Sequence, residues 1–126
     1  MRFLVKATIP VEAGNALVSD PNFGKRMDSI ITDIKPEAVY FAIEGGQRTA
    51  YFVVNVQDIS QAPAIAEPLW LSLKANVEFI PAMDQADMVK AAPAIARAAQ
   101  KYAPGAATAT SPRGQSRIRE VVGRSA

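Results

Sequence analysis

Lys6 and Glu78 are the charged residues whose predicted positions best suit catalysis. Lys6 lies in the apolar segment RFLVKATI and Glu78 in NVEFIPA, and we predict that these segments are neighbouring β-strands with both side chains on one sheet face. Such a pair can work at the floor of a pocket, with Glu78 as a general base and Lys6 stabilising an oxyanion. The pair can equally hold strand register or cross a subunit interface. The structural interpretation is favoured, because ion pairs often serve structure.

Three further polar residues on predicted strands, Tyr40, Tyr51 and Asn55, are candidates for orienting a bound ligand. Strand tyrosines and an asparagine also commonly pack and hydrogen-bond at an interface. Packing is the favoured interpretation, and ligand binding stays open.

The segment Glu67-Pro68-Leu69-Trp70 is the most distinctive short stretch of the chain. Pro68 lacks a backbone N–H and frees a carbonyl one turn earlier, so polar atoms can face a cavity beside Glu67 and Trp70. The alternative is a bend that wraps the helix around the sheet. We favour the bend and keep Glu67 and Trp70 as ligand-binding candidates.

The chain of 126 residues contains neither cysteine nor histidine. This composition excludes disulfides, thiolate nucleophiles, histidine metal sites and Ser-His-Asp triads. We predict Asp84 and Asp87 as helix caps rather than metal ligands. No cofactor, metal or catalytic residue is assigned, and whether the protein is an enzyme stays open.

The elements that position these residues are organised around residues 36–56, PEAVYFAIEGGQRTAYFVVNV. Two glycines between β-branched and aromatic runs predict a tight hairpin, because such turns need positive φ. We predict strands near Glu37–Glu44 and Arg48–Val56. Gly45-Gly46 is not a phosphate loop, since it lacks the strand-to-helix context and the later Lys-Ser/Thr.

Apolar periodicity predicts the remaining elements. They are strands at Arg2–Ile9 and Asn76–Ala82 and helices over Val11–Val18, from Phe23 to Ile34, over Asp58–Ala75 and from Asp84 to Ala103. Pro68 and Pro93 predict kinks in the last two helices, or a division at Pro93.

The resulting order is β-α-β-β-α-β with an extra C-terminal helix, which is the ferredoxin-like arrangement of an α+β fold. It predicts a four-stranded antiparallel sheet in which strand one lies between strands three and four, strand two lies at an edge, and the helices cover one face. We predict one domain over residues 1–103 and a flexible basic tail over residues 104–126.

The face opposite the helices has a mixed composition. Its predicted members are Leu4, Lys6, Thr8, Tyr40, Ala42, Glu44, Tyr51, Val53, Asn55, Asn76, Glu78 and Ile80. Such a face is too apolar for water and too polar for an ordinary core, which is typical of an interface or a pocket. A second copy of the sheet, packed on this face in a symmetric dimer, would cover its mixed surface.

Three segments, RFLVKATIPVEAGNA, KPEAVYFAIEGGQRTAYFVVNV and AIAEPLWLSLKANVEFIPAM, resemble a family of short bacterial proteins of unknown function in the dimeric α+β barrel superfamily. The resemblance covers about residues 1–90 and implies a ferredoxin-like fold and a homodimer. Superfamily relatives include cofactor-free monooxygenases, muconolactone-isomerase-like enzymes, haem-handling proteins and stress-response binding proteins. Many of these use a histidine, which this chain lacks, and fold alone does not settle function.

The positive charge of the chain is concentrated at its C-terminus. Four arginines and one glutamate give residues 104–126 a net charge of +3, so residues 1–103 carry −1. Nucleic acid is therefore an expected partner only through the tail, where solvated charge is the favoured alternative. The N-terminus MRFLVKATIP does not suit a signal peptide and no long apolar run predicts a membrane span. We expect a cytoplasmic protein with no membrane partner.

These observations favour a small homodimeric binding or interaction module that holds a small, partly apolar ligand between sheet and helices. The alternative is a cofactor-independent monooxygenase or isomerase acting on an aromatic or lactone-like substrate.

Overall fold

The computed structural model describes residues 1–105, which form an α+β fold of four antiparallel strands and four helices. In chain order the elements are β1 (Arg2–Ile9), α1 (Val11–Val18), α2 (Phe23–Ile34), β2 (Ala38–Glu44), β3 (Gln47–Asn55), α3 (Ala62–Leu73), β4 (Asn76–Ala82) and α4 (Gln85–Tyr102). A short 3-10 turn at Ile59–Gln61 precedes α3. The prediction of an α+β class with a four-stranded antiparallel sheet is confirmed.

The predicted hairpin joins β2 to β3 through two residues. Gly45 and Gly46 have φ angles of 60° and 73°, and Glu44 pairs with Gln47 directly beyond them. Positive φ at both turn positions is the geometry whose twist matches that of the flanking strands, and glycine adopts it without steric cost. The turn therefore fixes which residues of β2 and β3 face each other.

The sheet has the order β2-β3-β1-β4. β1 pairs along its whole length with β3, from Arg2 opposite Asn55 to Ile9 opposite Arg48, and its other edge pairs with β4. Because both neighbours of β1 are antiparallel, residues in register lie side by side on the same face.

One face of the sheet, here called the first face, packs against α1, α2 and α3. Its buried members from β1 and β3 are Phe3, Val5, Ala7, Ile9, Ala50, Phe52 and Val54, and they contact Leu17, Ile30, Ile34, Ile65, Leu69 and Leu73 from the helices. The predicted helix stripes therefore point into this core. Burial on the first face decides the orientation of β3, whose two sides are both apolar in sequence.

Two proline-containing helices are continuous. α3 runs through Pro68 and α4 runs through Pro93, each as one helix. The division that Pro93 predicts is therefore absent from α4. A proline removes one backbone donor, and the remaining hydrogen bonds on either side keep the helix continuous.

Capping boxes begin the 3-10 turn and α4, and the cap at Asp84 and Asp87 is the predicted one. Asp58 with Gln61 and Asp84 with Asp87 each form a reciprocal capping box, in which each side chain accepts from the other residue's backbone N–H. These acidic side chains therefore satisfy helix-terminal donors. Within residues 1–105, no cluster of three or more acidic side chains is arranged to hold a metal ion.

The chain divides into two compact units. The first, Met1–Ala82, contains the sheet, α1, α2 and α3, and the second begins at Met83 and contains α4. α4 has no buried residue. The predicted tail lies outside the described residues from residue 106 onward. In the described part of the chain, no helix combines the length and apolar character needed to cross a membrane.

Candidate functional site

The face of the sheet opposite the first face, here called the second face, is organised in rows that run across all four strands. The register places Tyr40, Tyr51, Lys6 and Glu78 side by side; these four residues are called the polar row. The neighbouring apolar row consists of Ala38, Val53, Leu4 and Ile80. The sheet thus brings four of the predicted site residues together, one from each strand.

Lys6 forms its ion pair with Glu44 of β2, in place of the predicted pair with Glu78. Glu78 lies directly opposite Lys6 on β4 and is exposed. Glu44 lies beside the turn, four residues beyond Tyr40 on the same side of β2, and the long Lys6 side chain reaches it diagonally across β3. Glu44 is predicted on this face from the sequence but is not among the predicted site residues.

Glu44 is also the acceptor for Tyr51, whose phenol O–H donates to Glu44 Oε1 while Lys6 Nζ donates to Glu44 Oε2. The three residues form what we call the Glu44 cluster. The Lys6 side chain is 20% exposed and that of Glu44 is 45% exposed. One carboxylate therefore holds an ammonium and a phenol from two adjacent central strands.

The hydrogen bonds within the Glu44 cluster shift the pKa of each of its three members further from neutral pH. The hydrogen bond from Lys6, followed by that from Tyr51, lowers the pKa of Glu44. The hydrogen bond to Glu44 is the main cause that raises the pKa of Lys6 and also the main cause that raises the pKa of Tyr51. Each group is held in its ordinary protonation state at neutral pH.

This arrangement is poorly suited to proton abstraction or covalent catalysis. A general base works best with a pKa near the operating pH, and a nucleophilic lysine needs a lowered pKa. The shifts of Glu44 and Lys6 go in the opposite direction for these two roles, whereas the raised pKa of Lys6 keeps the positive charge that its predicted oxyanion role requires. The cluster instead presents a neutralised, hydrogen-bonded polar patch beside the apolar row.

Replacing Glu44 by glutamine is expected to change how stability depends on pH. Because the pKa of folded Glu44 lies below its ordinary value of 4.5, its contribution is present above about pH 4.5 and is lost as pH falls through the folded value. The difference in unfolding free energy between the original protein and Glu44→Gln should therefore shrink as the pH drops below about 4.5. Urea unfolding at fixed protein concentration over an acid pH series measures it.

The control for this series is Glu12→Gln, which changes the net charge equally on an exposed part of α1. A pH dependence of Glu44→Gln that parallels Glu12→Gln throughout would contradict a stabilising role for the Glu44 cluster.

The other predicted site residues lie apart from the Glu44 cluster. Asn55 is exposed at the end of β3, where its Oδ1 accepts a hydrogen bond of 3.3 Å from the N-terminal ammonium. Glu67 and Trp70 are exposed residues of α3, whose buried side packs on the first face. The seven predicted residues therefore divide among three places, and only the polar row combines several of them.

A cavity of about 280 Å³ lies on the other side of the sheet, between the first face near the hairpin and the helices. Its lining includes Phe23, Met27, Phe41 and Arg48, and neither Glu67 nor Trp70 lines it. Sequence analysis selected none of these lining residues, because the cavity depends on how α1 and α2 pack against the hairpin.

Comparisons with protein-family models, curated proteins and solved structures found no match to this chain. The resemblance to the dimeric α+β barrel superfamily therefore stays a prediction, with the α+β class and antiparallel sheet as its confirmed part.

Proposed function

We propose that this protein is a cytoplasmic homodimeric interaction module of the ferredoxin-like, dimeric α+β barrel type. In this proposal the second face of one copy packs on the second face of another, and each copy can hold a small, partly apolar ligand between its sheet and helices. The observation that carries the proposal is the apolar row lying directly beside the polar row on one sheet face.

The composition of the second face supports pairing with another copy. Interface centres are poor in unpaired charge and rich in tyrosine. The apolar row supplies Val53, Leu4 and Ile80, while Tyr40 is 65% exposed on the edge strand. Lys6 and Glu44 already neutralise each other, so burying them costs less than burying either charge alone. Glu78, exposed at the β4 end of the polar row, is the carboxylate that the second copy has to pair.

A two-fold dimer is the simplest way to cover such a face. In a symmetric pair the same patch occurs on both subunits, so the patch must complement itself. Adjacent apolar and polar rows can do so, because a two-fold rotation can set apolar row against apolar row and polar row against polar row.

The alternative function, a cofactor-independent monooxygenase or isomerase, is less well supported. The Glu44 cluster holds its carboxylate, ammonium and phenol in their ordinary protonation states, and a water-excluding reaction site would need a base tuned toward neutral pH. Turnover of an aromatic or lactone-like substrate that falls in Lys6→Met or Glu78→Gln, with the oligomeric state unchanged, would favour the enzyme instead.

Native mass spectrometry of the full-length protein tests the homodimer directly. The chain has a mass of 13.5 kDa, and we expect a species of twice that mass at micromolar concentration, with the single-chain mass in a denatured control. A single-chain species over the whole concentration range would overturn the proposal. A releasable small molecule would additionally identify a ligand.

A further inference from the structure

The cavity near the hairpin is lined by apolar side chains from the sheet and from the helices and opens to solvent. It measures about 280 Å³, and its apolar lining includes Ile9, Val18, Phe23, Met27, Phe41 and Leu73. Val18 is 49% and Phe41 67% exposed, so both lie where the cavity meets solvent. This volume lies just below the roughly 300 Å³ at which ligand pockets in proteins begin, so the cavity has room only for a small molecule.

Arg48 is the charged residue of this lining, and the fold makes room for it. Its side chain crosses Gly14 of α1 so closely that a Cβ at that position would lie 2.6 Å from Arg48 Nη1. Nη1 also donates a 3.2 Å hydrogen bond to Asn15 Oδ1. Arg48 is an exposed residue whose guanidinium thus packs over a buried glycine and donates to a neighbouring amide oxygen on α1, at the edge of an apolar cavity.

The charge of Arg48 is not neutralised by any carboxylate among residues 1–105. The contrast with Arg26 is direct, because Arg26 lines a separate cavity of about 240 Å³ and forms a 2.9 Å ion pair with Asp20, which lines the same cavity. A guanidinium presents several donors in a plane that matches a carboxylate. Of the two arginines that line these cavities, Arg48 is therefore the one without a carboxylate partner among residues 1–105.

We propose that this cavity binds a small apolar carboxylate, with its hydrocarbon part among Phe23, Met27 and Phe41 and its carboxylate on Arg48. The inference deepens the ligand-holding part of the proposed function and rests on it in that respect. It does not require the dimer, because every lining residue belongs to one copy.

Isothermal titration of the full-length protein with octanoate, and with octanol as the neutral probe of the same hydrocarbon length, tests the proposal. We expect octanoate to bind more tightly than octanol. Arg48→Met should weaken octanoate binding about tenfold and leave octanol binding almost unchanged, since a hydrogen-bonded charge pair is lost only for the anion. Lys25→Met removes the same charge from an exposed position of α2 outside the lining and should leave both affinities unchanged.

A second pair of variants locates the ligand. Val18 and Val11 are equally exposed residues of α1, and only Val18 lines the cavity. Val18→Trp is expected to fill the opening and to weaken both octanoate and octanol at least tenfold, whereas Val11→Trp should weaken neither. Circular dichroism of each variant verifies that the fold is retained.

Equal affinity for octanoate and octanol, or an Arg48→Met effect no larger than that of Lys25→Met, would overturn the assignment of the carboxylate to Arg48. Equal titrations of Val18→Trp and Val11→Trp would overturn the location, and absence of octanoate binding would overturn the site itself. Native masses recorded on the same samples report the homodimer separately, so a monomer that binds octanoate refutes only the dimer.

Discussion

If two copies pair through the second face as proposed, Ile80→Lys is expected to leave the protein monomeric. Ile80 ends the apolar row on β4 and is 37% exposed within one copy, so a second sheet packed on the second face would cover it. A lysine there would bury an unpaired ammonium against Leu4 and Val53 of the partner sheet or hold the two sheets apart. Burying a polar group without a partner costs roughly 2–7 kcal/mol, which weakens association about thirtyfold or more.

Leu71→Lys is the matched control, because it introduces the same lysine at an apolar residue that is 76% exposed on α3. Native mass spectrometry or light scattering at one protein concentration should show the double mass for Leu71→Lys and the single mass for Ile80→Lys. If both variants keep the double mass, the copies associate through another surface and the second face is not the interface. If both lose it, the effect comes from added charge alone.

The hairpin and the two sheet faces could be predicted from sequence because they follow from local rules. Adjacent glycines specify a turn with positive φ, and a period of two residues assigns each side chain to a face. Lys6 and Glu78 are consequently predicted on one face of neighbouring strands, and the structure has them in register. The orientation of β3 does not follow from sequence alone, since Tyr51 and Phe52 are both apolar enough for either face. Packing against the helices decides that Phe52 faces the core.

The Glu44 cluster could not be predicted in the same way. Register identifies the residues directly opposite Lys6, but a lysine side chain is long enough to choose a diagonal partner, and the ion pair forms with Glu44. The choice depends on sheet twist and on the shared hydrogen bond from Tyr51, neither of which is a local property of the sequence. The placement of Arg48 against Gly14 likewise depends on the packing of α1 on the sheet.

Phe52→Ala is expected to destabilise the protein much more than the same substitution at an exposed residue of the first face. Phe52 is fully buried at the centre of the sheet, in register with Val5 and Val39 and within the core formed with the helices. Removing a buried phenyl ring loses its transfer free energy and leaves a cavity, which together cost about 3–5 kcal/mol. Because domains are stable by only about 5–15 kcal/mol, this variant should unfold at much lower urea concentration.

Phe41→Ala is the matched control. It makes the same substitution on the same face at an exposed residue, since Phe41 is 67% exposed on the edge strand β2. Its cost should be about 1 kcal/mol or less, as for most exposed positions. Both urea curves are recorded at one fixed protein concentration, because association with a second copy adds to apparent stability. If Phe52→Ala fails to fold, Phe52→Leu replaces it and should still cost more than Phe41→Ala. Equal losses at the two positions would mean that the helices do not cover the centre of the first face in solution.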